Sequence, residues 1–296
     1  MSWRSLILYC LLLYSIEAKQ LTTDGLPKRD PHFWDDGKTL TYTVETIGTH
    51  RNNVKRLNME DGTTSYFFSG NNSNRSDREL KGSTDGKAYG YNSVRGLSSS
   101  LTYVNESLGL NTKMPSKGIA NWANWPTISP NGRFMAFTEG AQAMFLYDSD
   151  HGQATPEQLR RLTYEGATHS DLFPSFSPDG KYIVFSSNRD KDYEIYIMER
   201  DGSNQVRVTN SRGIDRHPVF SPDGKSIAFT SNRDGNYEIY VMGRDGSNPR
   251  RITNHPERDD YCTWHPNGKQ LVMVSERDGH FDLYLVDLDE DTSAGN

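Results

Sequence analysis

Aromatic and imidazole side chains recur in this sequence at one fixed distance ahead of a repeated turn. Each stands seven residues before the glycine of an Asp-Gly or Asn-Gly turn. The four are Trp125, Phe173, His217 and Tyr261, spaced by 48, 44 and 44 residues. Such rings give rigid contact area with a polar edge, which suits the binding of a protein segment or a glycan. We therefore predict that these four side chains contact a ligand.

Charged side chains precede the rings and admit two interpretations. Arg216 stands eight residues before a turn glycine, and Asp171, Asp215 and Asp259 stand nine residues before theirs. One hypothesis is that they line a ligand site, where charge sets the orientation of the ligand. The other is that the aspartates bond backbone N–H groups or arginines between repeats, which their recurrence favours. We keep all four as candidate ligand contacts and leave both interpretations open.

Metal chemistry has a weaker basis in this sequence. Carboxylates gathered in a ring would suit a hard cation such as calcium. The chain has no Asp-x-Asp-x-Asp-Gly loop, however, and its eight histidines show no zinc-binding spacing. We assign no catalytic residue and no metal ligand, expect no cofactor, and leave calcium open.

The turn that positions these side chains recurs in six repeats. An Asp or Asn precedes its glycine, a Lys or Arg follows, and apolar residues stand three and five positions later. The turn glycines are Gly37, Gly86, Gly132, Gly180, Gly224 and Gly268. Alternating apolar residues predict a strand, and the further turns in a repeat of 44–49 residues leave room for four strands. The pattern predicts an all-β fold, a six-bladed β-propeller of four-stranded antiparallel blades.

The two ends of the chain complement each other. The last repeat ends after its third strand and has no outer strand of its own. Residues 19–22, Lys-Gln-Leu-Thr, resemble the outer-strand residues 250–253, Arg-Arg-Ile-Thr, and both segments end 15 residues before a turn glycine. We therefore predict that the N-terminal strand joins the last blade and closes the ring, which removes exposed sheet edges.

One repeat is specific enough to resemble a known family. Ser-Asn-Arg-Asp-Gly-Asn-Tyr-Glu-Ile-Tyr-Val-Met (231–242) and Arg-Asp-Gly-Ser-Asn (244–248) follow a Ser-Pro-Asp-Gly-Lys turn. This run resembles the TolB-type, WD40-like β-propeller repeat, and the chain is similar to a stand-alone TolB-like propeller. The resemblance implies the propeller fold. Such propellers bind partner proteins in TolB, form the lid of prolyl-oligopeptidase-like peptidases and occur in some secreted sugar-active proteins, so the fold alone does not assign a function.

Charge and the N-terminal residues bear on partners and location. A formal net charge of −6 argues against nucleic acid as the partner, because phosphate binding needs a basic face. Arg4, the apolar residues 6–13 and Ala18 are typical of a signal peptide, and the apolar run is too short for a membrane span. We predict a signal peptide at 1–18, a propeller at 19–289 and a C-terminal tail at 290–296. The mature protein is expected to be a secreted or periplasmic monomer without a membrane span.

One cysteine and three asparagines also carry predictions. Cys262 is the one cysteine beyond the predicted signal peptide and lies in a predicted inner strand, so we expect a buried, inert thiol. Asn71, Asn74 and Asn105 begin Asn-x-Ser tripeptides, and whether they carry glycans is left open.

These observations favour a secreted, non-catalytic binding propeller that recognises a protein segment or a glycan at the mouth of its central channel. One alternative is an enzyme at that mouth, a metal-assisted lyase, lactonase or hydrolase, in which His217 or His169 acts with nearby aspartates. Another is an accessory propeller for a separate peptidase chain. Convergence of both histidines with two or more aspartates would favour the enzyme.

Overall fold

The chain folds into six four-stranded antiparallel sheets. The computed structural model describes residues 18–34, 37–47, 51–68, 76–95, 98–115, 123–140, 143–163 and 169–288, and within these ranges it forms 24 strands. The innermost strands of successive sheets contact one another in a closed ring. The predicted all-β, six-bladed propeller is therefore confirmed. The predicted tail and, apart from Ala18, the predicted signal peptide lie outside the described residues.

Each blade runs from an inner strand at the channel to an outer strand. Blade one holds β2 (Lys28–Trp34), β3 (Thr39–Thr46), β4 (Arg51–Asn58) and β5 (Thr64–Tyr66), and blade two holds β6 (Ser76–Gly82), β7 (Ala88–Arg95), β8 (Ser98–Asn105) and β9 (Leu110–Lys113). Blade three holds β10 (Ala123–Ile128), β11 (Phe134–Glu139), β12 (Ala143–Asp148) and β13 (Arg160–Arg161), and blade four holds β14 (Asp171–Phe176), β15 (Tyr182–Ser187), β16 (Glu194–Glu199) and β17 (Val206–Arg207). Blade five holds β18 (Asp215–Phe220), β19 (Ser226–Ser231), β20 (Glu238–Gly243) and β21 (Arg250–Arg251), and blade six holds β22 (Asp259–Trp264), β23 (Gln270–Arg277), β24 (His280–Asp287) and β1 (Ala18–Gln20). Short 3-10 helices span Glu106–Leu108, Ser149–His151 and Pro156–Gln158.

The repeated turn ends each inner strand through a local hydrogen-bond set. In blade five, Ser221 Oγ donates to Asp223 Oδ1 at 2.6 Å and the Lys225 N–H donates to the same oxygen at 3.1 Å. Gly224 follows with a φ of 71°, a left-handed conformation that glycine adopts without a steric penalty. The turn therefore reverses the chain at the same point of the repeat and fixes the register of the hairpin.

The core lies between neighbouring blades. Ile227 and Phe229 of β19 are fully buried and pack on Val184 and Ile195 of the preceding blade. Because a middle strand is covered on both faces, its apolar residues form a continuous run instead of alternating with polar ones. Burying a side chain of this size contributes about 1.5–3 kcal/mol relative to exposure, so blade–blade packing dominates the stability of the ring.

The N-terminal strand closes the ring as predicted. β1 pairs antiparallel with β24, placing Lys19 opposite Leu285. The Leu21 N–H donates to the carbonyl of Leu283 at 2.7 Å, and the Leu283 N–H donates to Thr22 Oγ1 at 3.0 Å. Blade six thus takes its outer strand from the opposite end of the chain, which leaves no unpaired edge at the joint.

In blades five and six, a buried carboxylate of the third strand holds the outer strand in place. In blade five, Thr253 Oγ1 donates to Glu238 Oε2, and the Ile239 N–H donates to that threonine. Blade six repeats the device with Thr22, whose Oγ1 donates to Asp282 Oδ1 at 2.7 Å. Lys28 of blade one donates to the same aspartate at 2.8 Å, so one carboxylate joins the first blade, the last blade and the N-terminal strand.

The structure also bears on the Asn-x-Ser sites, the single cysteine and the question of a membrane span. Asn105 is 7% exposed, and its Nδ2 donates to Tyr103 Oη at 3.0 Å, which leaves that nitrogen poorly placed to carry a glycan. Asn71 and Asn74 lie outside the described residues. Cys262 is buried as expected, and burial raises the pKa of its thiol to about 12. In the part of the chain that the structure describes, no helix has the length and apolar character to cross a membrane.

Candidate functional site

Six residues with left-handed backbone form a ring at one end of the central channel. They are the residues seven positions before each turn glycine, one per blade: Asp30, Glu79, Trp125, Phe173, His217 and Tyr261. Their φ angles lie between 49° and 59°, a region that bulky side chains rarely enter. We call these six residues the rim ring. The surrounding fold must compensate the strain of a non-glycine residue in this region. Such residues are found most often at ligand sites and active sites.

A β-bulge in every inner strand produces this conformation. In blade five, Arg216 pairs with Thr230 and Val219 pairs with Ala228, so that His217 and Pro218 together face one residue of β19. The other five inner strands shift register at the same place. A bulge bends the strand and redirects one side chain. It turns the rim ring residues toward the channel, where all six line one cavity.

The cavity occupies the channel from the rim ring toward the turns that end the inner strands. Its volume is about 450 Å³, and all six inner strands contribute to its wall. Much of the wall below the ring is proline, from both the strands and the turns: Pro126, Pro174, Pro178, Pro218, Pro222 and Pro266. A concave, largely apolar space with a few polar groups at its entrance is typical of a binding site.

The four predicted rings form one continuous arc. Trp125 and Phe173 have ring centroids 4.8 Å apart, and the centroids of Phe173 and His217 are 4.1 Å apart. His217 stacks on Tyr261 with a centroid distance of 4.1 Å and an interplanar angle of 26°. All four side chains are half-buried. The structure therefore brings together the residues that the sequence singled out, as one aromatic wall of the cavity entrance.

Two acids complete the rim ring opposite part of that arc. Glu79 is 6% exposed, and its Oε2 accepts a hydrogen bond from the Trp125 N–H at 2.8 Å. Burial and the neighbouring charge of Asp30 raise the pKa of Glu79 to about 7, although Arg78 lies 3.4 Å from its Oε1. The Oδ2 atom of Asp30 is buried and has no hydrogen-bond partner among the described residues. These acids are the most polar part of the entrance.

His217 is held by a carboxylate of the next blade. Its Nδ1 lies 2.7 Å from Asp260 Oδ1, and its side chain is 10% exposed. Asp260 also accepts hydrogen bonds from Arg258 Nε at 3.0 Å and from Thr230 Oγ1 at 2.8 Å. Burial alone would raise the pKa of Asp260, but His217 and Arg258 hold it well below the usual range. The imidazole is thereby fixed in orientation, while its buried Nε2 bonds to no described residue.

The aspartates predicted nine positions before the turn glycines lie inside the blades. Asp171 and Asp215 are fully buried, and each accepts a hydrogen bond from an arginine of its own blade, Arg189 at 3.0 Å and Arg233 at 2.8 Å. Asp259 is also fully buried and accepts a hydrogen bond from a serine hydroxyl. These contacts are architectural, as the second interpretation held, but they lie within a blade and not between repeats. None of the three aspartates lines the cavity, and their ligand role stays a prediction.

Arg216 is displaced from the cavity in a similar way. Its guanidinium lies over the ring of Tyr193, 4.1 Å from the ring centroid. Arg216 stands one residue before His217 and is not among the residues that line the cavity. Its ligand role stays a prediction.

The described histidines and acids do not converge as a metal site. His169 Nε2 lies 3.3 Å from Asp171 Oδ2, whereas His217 contacts Asp260. Across the described ranges, no three His, Cys, Asp or Glu side chains form a group that could hold a metal ion. The convergence that would favour a metal-assisted enzyme is therefore not found within those ranges.

Sequence reasoning missed three functional features. Asp30 and Glu79 occupy the same repeat position as the four rings, but only the aromatic members were chosen. Asp260 was aligned with arginines and not recognised as the partner of His217. The available signal was the shared position seven residues before each turn glycine, which marks all six rim ring residues at once.

Comparisons with known proteins agree with this architecture. Residues 160–294 match the family described as the TolB beta propeller domain. An uncharacterized protein of Agrobacterium fabrum is 32% identical over 133 residues, which cover 44% of this chain and 42% of that protein. The Tol-Pal system protein TolB of Geobacter sulfurreducens is 44% identical over 57 residues, which cover 19% of this chain and 12% of that protein. The chain thus spans less than half the length of either relative.

Solved structures extend the likeness over most of the chain. A structure assigned as TolB from Agrobacterium tumefaciens has a TM-score of 0.64 and 26% identity, covering 80% of this chain and 85% of that chain. An oligogalacturonate lyase in complex with manganese has a TM-score of 0.62 and 15% identity, covering 94% of this chain and 95% of that chain. At such low identity, the second likeness shows the fold alone.

Proposed function

We propose, from the match of residues 160–294 to the family described as the TolB beta propeller domain, that the chain is a non-catalytic binding propeller. Its ligand is a segment of a partner protein, which docks on the rim ring and inserts a side chain into the cavity. The likeness of one segment to the Tol-Pal system protein TolB supports a protein as the partner.

The aromatic arc is the observation that carries this proposal. Trp125, Phe173, His217 and Tyr261 present contiguous ring surface on one side of an open cavity. Large aromatic groups that line a concave pocket dominate the binding energy of protein interfaces. The proline-rich wall below them suits an apolar side chain better than a sugar, because sugar hydroxyls need hydrogen-bond partners.

Peptide display against the immobilised protein tests the proposal. Selected peptides should lose affinity by about 30-fold for Trp125→Asn and for Phe173→Asn, the size of a loss at a binding hot spot. Asparagine is the replacement of choice because it tolerates the left-handed backbone better than alanine does. Val206→Asn, at a residue that is 58% exposed on the outer strand of blade four, is the matched control. Peptides that bind all variants equally, or binders found only on a glycan array, would overturn it.

One observation favours a second candidate, an enzyme at the same entrance. Asp260 orients His217, a residue of the cavity wall, and leaves its buried Nε2 without a described partner, as a general base held by a carboxylate would be. The likeness to an oligogalacturonate lyase makes that substrate class the first to assay. Formation of unsaturated product from oligogalacturonate, with and without manganese, and its loss in His217→Asn would support this function. Absence of turnover would leave the binding role.

The location and the limits of the mature protein are part of the proposal. We infer a secreted or periplasmic monomer, with a signal peptide at residues 1–18, a propeller at 19–289 and a tail at 290–296. N-terminal sequencing of exported protein should begin at Lys19, and sedimentation should give one monomeric species. An accessory role for a separate peptidase chain would instead appear as a stable complex in affinity capture from the extracellular fluid.

A further inference from the structure

Two buried polar atoms of the rim ring have no hydrogen-bond partner among the described residues, one in a carboxylate and one in an imidazole. Asp30 Oδ2 and His217 Nε2 are both buried, and neither has a hydrogen-bond partner in the described part of the chain. Glu79 uses Oε2 to accept the Trp125 N–H, while its Oε1 has Arg78 at 3.4 Å. A buried polar atom without a partner loses about 1–3 kcal/mol unless a ligand supplies one, so these atoms define what the ring can bind.

The contacts of Asp260 set the role of the imidazole nitrogen. Besides His217, this carboxylate accepts hydrogen bonds from Arg258, Thr230 Oγ1 and the Tyr261 N–H, the last two at 2.8 Å. A carboxylate held among donors at a depressed pKa is ionised and acts only as an acceptor. His217 Nδ1 must therefore donate to it, which fixes the ring and leaves Nε2 as the nitrogen without a partner among the described residues.

The order of the blades places these groups around one space. Glu79 belongs to blade two and His217 to blade five, so they stand three blades apart on a closed ring of six, on opposite sides of the channel. Asp30 of blade one is the neighbour of Glu79. A donor group in the entrance is consequently met by acids on one side and by aromatic faces on the other.

The nearby cations are already engaged. Lys81 lines the cavity below the ring, and its ammonium donates to the carbonyl of Pro31 at 2.9 Å. Arg78 NH2 donates to Asn124 Oδ1 at 3.2 Å, and Arg29 NH2 donates to Asn52 Oδ1. These groups moderate the negative charge of the two acids, but their bonded positions leave Asp30 Oδ2 without a donor.

From this arrangement we propose that the rim ring recognises a protonated nitrogen, an ammonium or guanidinium group of the partner segment, between the Asp30 and Glu79 carboxylates and the aromatic arc. The inference rests on the proposed binding function and names its ligand chemistry. Charge-assisted hydrogen bonds to the acids and cation–π contact with the rings both favour a cation over a neutral donor. An anionic group would instead meet two carboxylates and is rejected.

Small probes that share one aromatic body test this specificity. Phenethylamine and its guanidine analogue carry the cation, 2-phenylethanol is the neutral control and 3-phenylpropionate is the anionic control. Titration followed by calorimetry should give binding of both cations at least about tenfold tighter than that of the alcohol, as expected for a charged hydrogen bond replacing a neutral one. The carboxylate should bind most weakly. Equal binding of cation and alcohol, or stronger binding of the carboxylate, would overturn the proposal.

Matched variants assign the effect to the two acids. Asp30→Asn and Glu79→Gln should each reduce the affinity for phenethylamine by about tenfold and leave that for 2-phenylethanol unchanged. Asp245→Asn, at an exposed turn of blade five, removes one carboxylate elsewhere and should change neither. Loss of affinity for both probes in Glu79→Gln would indicate a structural role and contradict the assignment.

Acidity provides an independent readout. Burial and Asp30 raise the pKa of Glu79 to about 7, against the opposing charges of Arg78 and Arg29, so its carboxylate is neutralised as the pH falls through that value. The affinity for phenethylamine should therefore decline on acidification, and it should decline less in Glu79→Gln. A pH-independent affinity would count against the acid pair as the binding group.

Peptides distinguish the source of the nitrogen and separate this inference from the proposed function. Peptides from the display experiment are compared with a free or acetylated N-terminus and with Lys or Arg replaced by Gln. A loss on acetylation assigns an α-amino group, and a loss on side-chain replacement assigns a basic residue. If the peptides require Trp125 and Phe173 but tolerate every neutral replacement, the cation proposal fails and the binding function stands.

Discussion

Glu79→Gln should stabilise the protein, and its effect should grow with pH. The carboxyl is 6% exposed, and its pKa is raised from the ordinary 4.5 to about 7 by burial and by the charge of Asp30. A raised pKa means that the folded state holds the proton more tightly than the unfolded state. The stability that this group contributes is present below about pH 4.5 and is lost as the pH rises through about 7. This shift in the pKa of Glu79 lowers the free energy of unfolding by roughly 3 kcal/mol at about pH 8.

Glutamine removes this loss because it is neutral at every pH and can still accept the Trp125 N–H. Urea unfolding followed by tryptophan fluorescence, at a series of pH values, gives the free energy of unfolding for both proteins. The difference should move in favour of Glu79→Gln by roughly 3 kcal/mol between about pH 4.5 and pH 8. Subtracting the two curves cancels the titration of groups that the substitution leaves unchanged.

Two further proteins sharpen the test. Asp30→Asn removes the neighbouring charge that raises the pKa of Glu79, so the pH-dependent loss of stability should shrink. Glu60→Gln makes the same substitution at an exposed turn and should not reproduce the pH-dependent gain. The reasoning would be refuted if the difference in the free energy of unfolding between the wild-type protein and Glu79→Gln did not change with pH. It would also be refuted if Glu79→Gln became less stable than the wild-type protein as the pH rises.

Three more outcomes follow from buried groups. Thr22→Val should lower the free energy of unfolding in urea by about 1–3 kcal/mol, because it removes a donor from buried Asp282, whereas the same change at exposed Thr23 should have no effect. Asp260→Asn should destabilise the fold by about 3 kcal/mol at neutral pH, and the deficit should begin to shrink only below about pH 4, as the pH falls from the ordinary aspartate pKa toward the depressed one of the folded state. Cys262, whose thiol pKa burial raises to about 12, should react with a disulfide reagent only after unfolding, and rapid reaction of the native protein would contradict that.

Much of the fold could be predicted because the repeat gives the same signal six times. Turn chemistry at Gly224 and the apolar alternation after it define a hairpin, and recurrence of both at near-constant spacing gives the number of blades. The joint at residues 19–22 was predictable because an outer strand was missing at one end and present at the other.

The site was only partly predictable, because its geometry depends on a bulge. In a regular strand, Asp215 and His217 would point to the same face. The left-handed residue breaks that alternation, so His217 lines the cavity while Asp215 is buried against Arg233. Sequence gave no direct sign of this, since bulky residues disfavour a positive φ. The pairing of His217 with Asp260 also escaped, because the partner comes from another blade.

The bulges allow the rim ring side chains to differ between blades while the strand pairing of each blade stays the same. Each rim ring residue lies outside the regular pairing of its strand, while the flanking residues keep the register of the blade. One blade can therefore present a carboxylate and the next an indole without altering either sheet, as Glu79 and Trp125 do. The two residues are also joined directly, since the backbone N–H of Trp125 donates a hydrogen bond to the Glu79 carboxylate. A repeat fold thus builds an asymmetric entrance from equivalent positions, and the binding that we propose would draw its specificity from six side chains that stand outside the regular strand pairing.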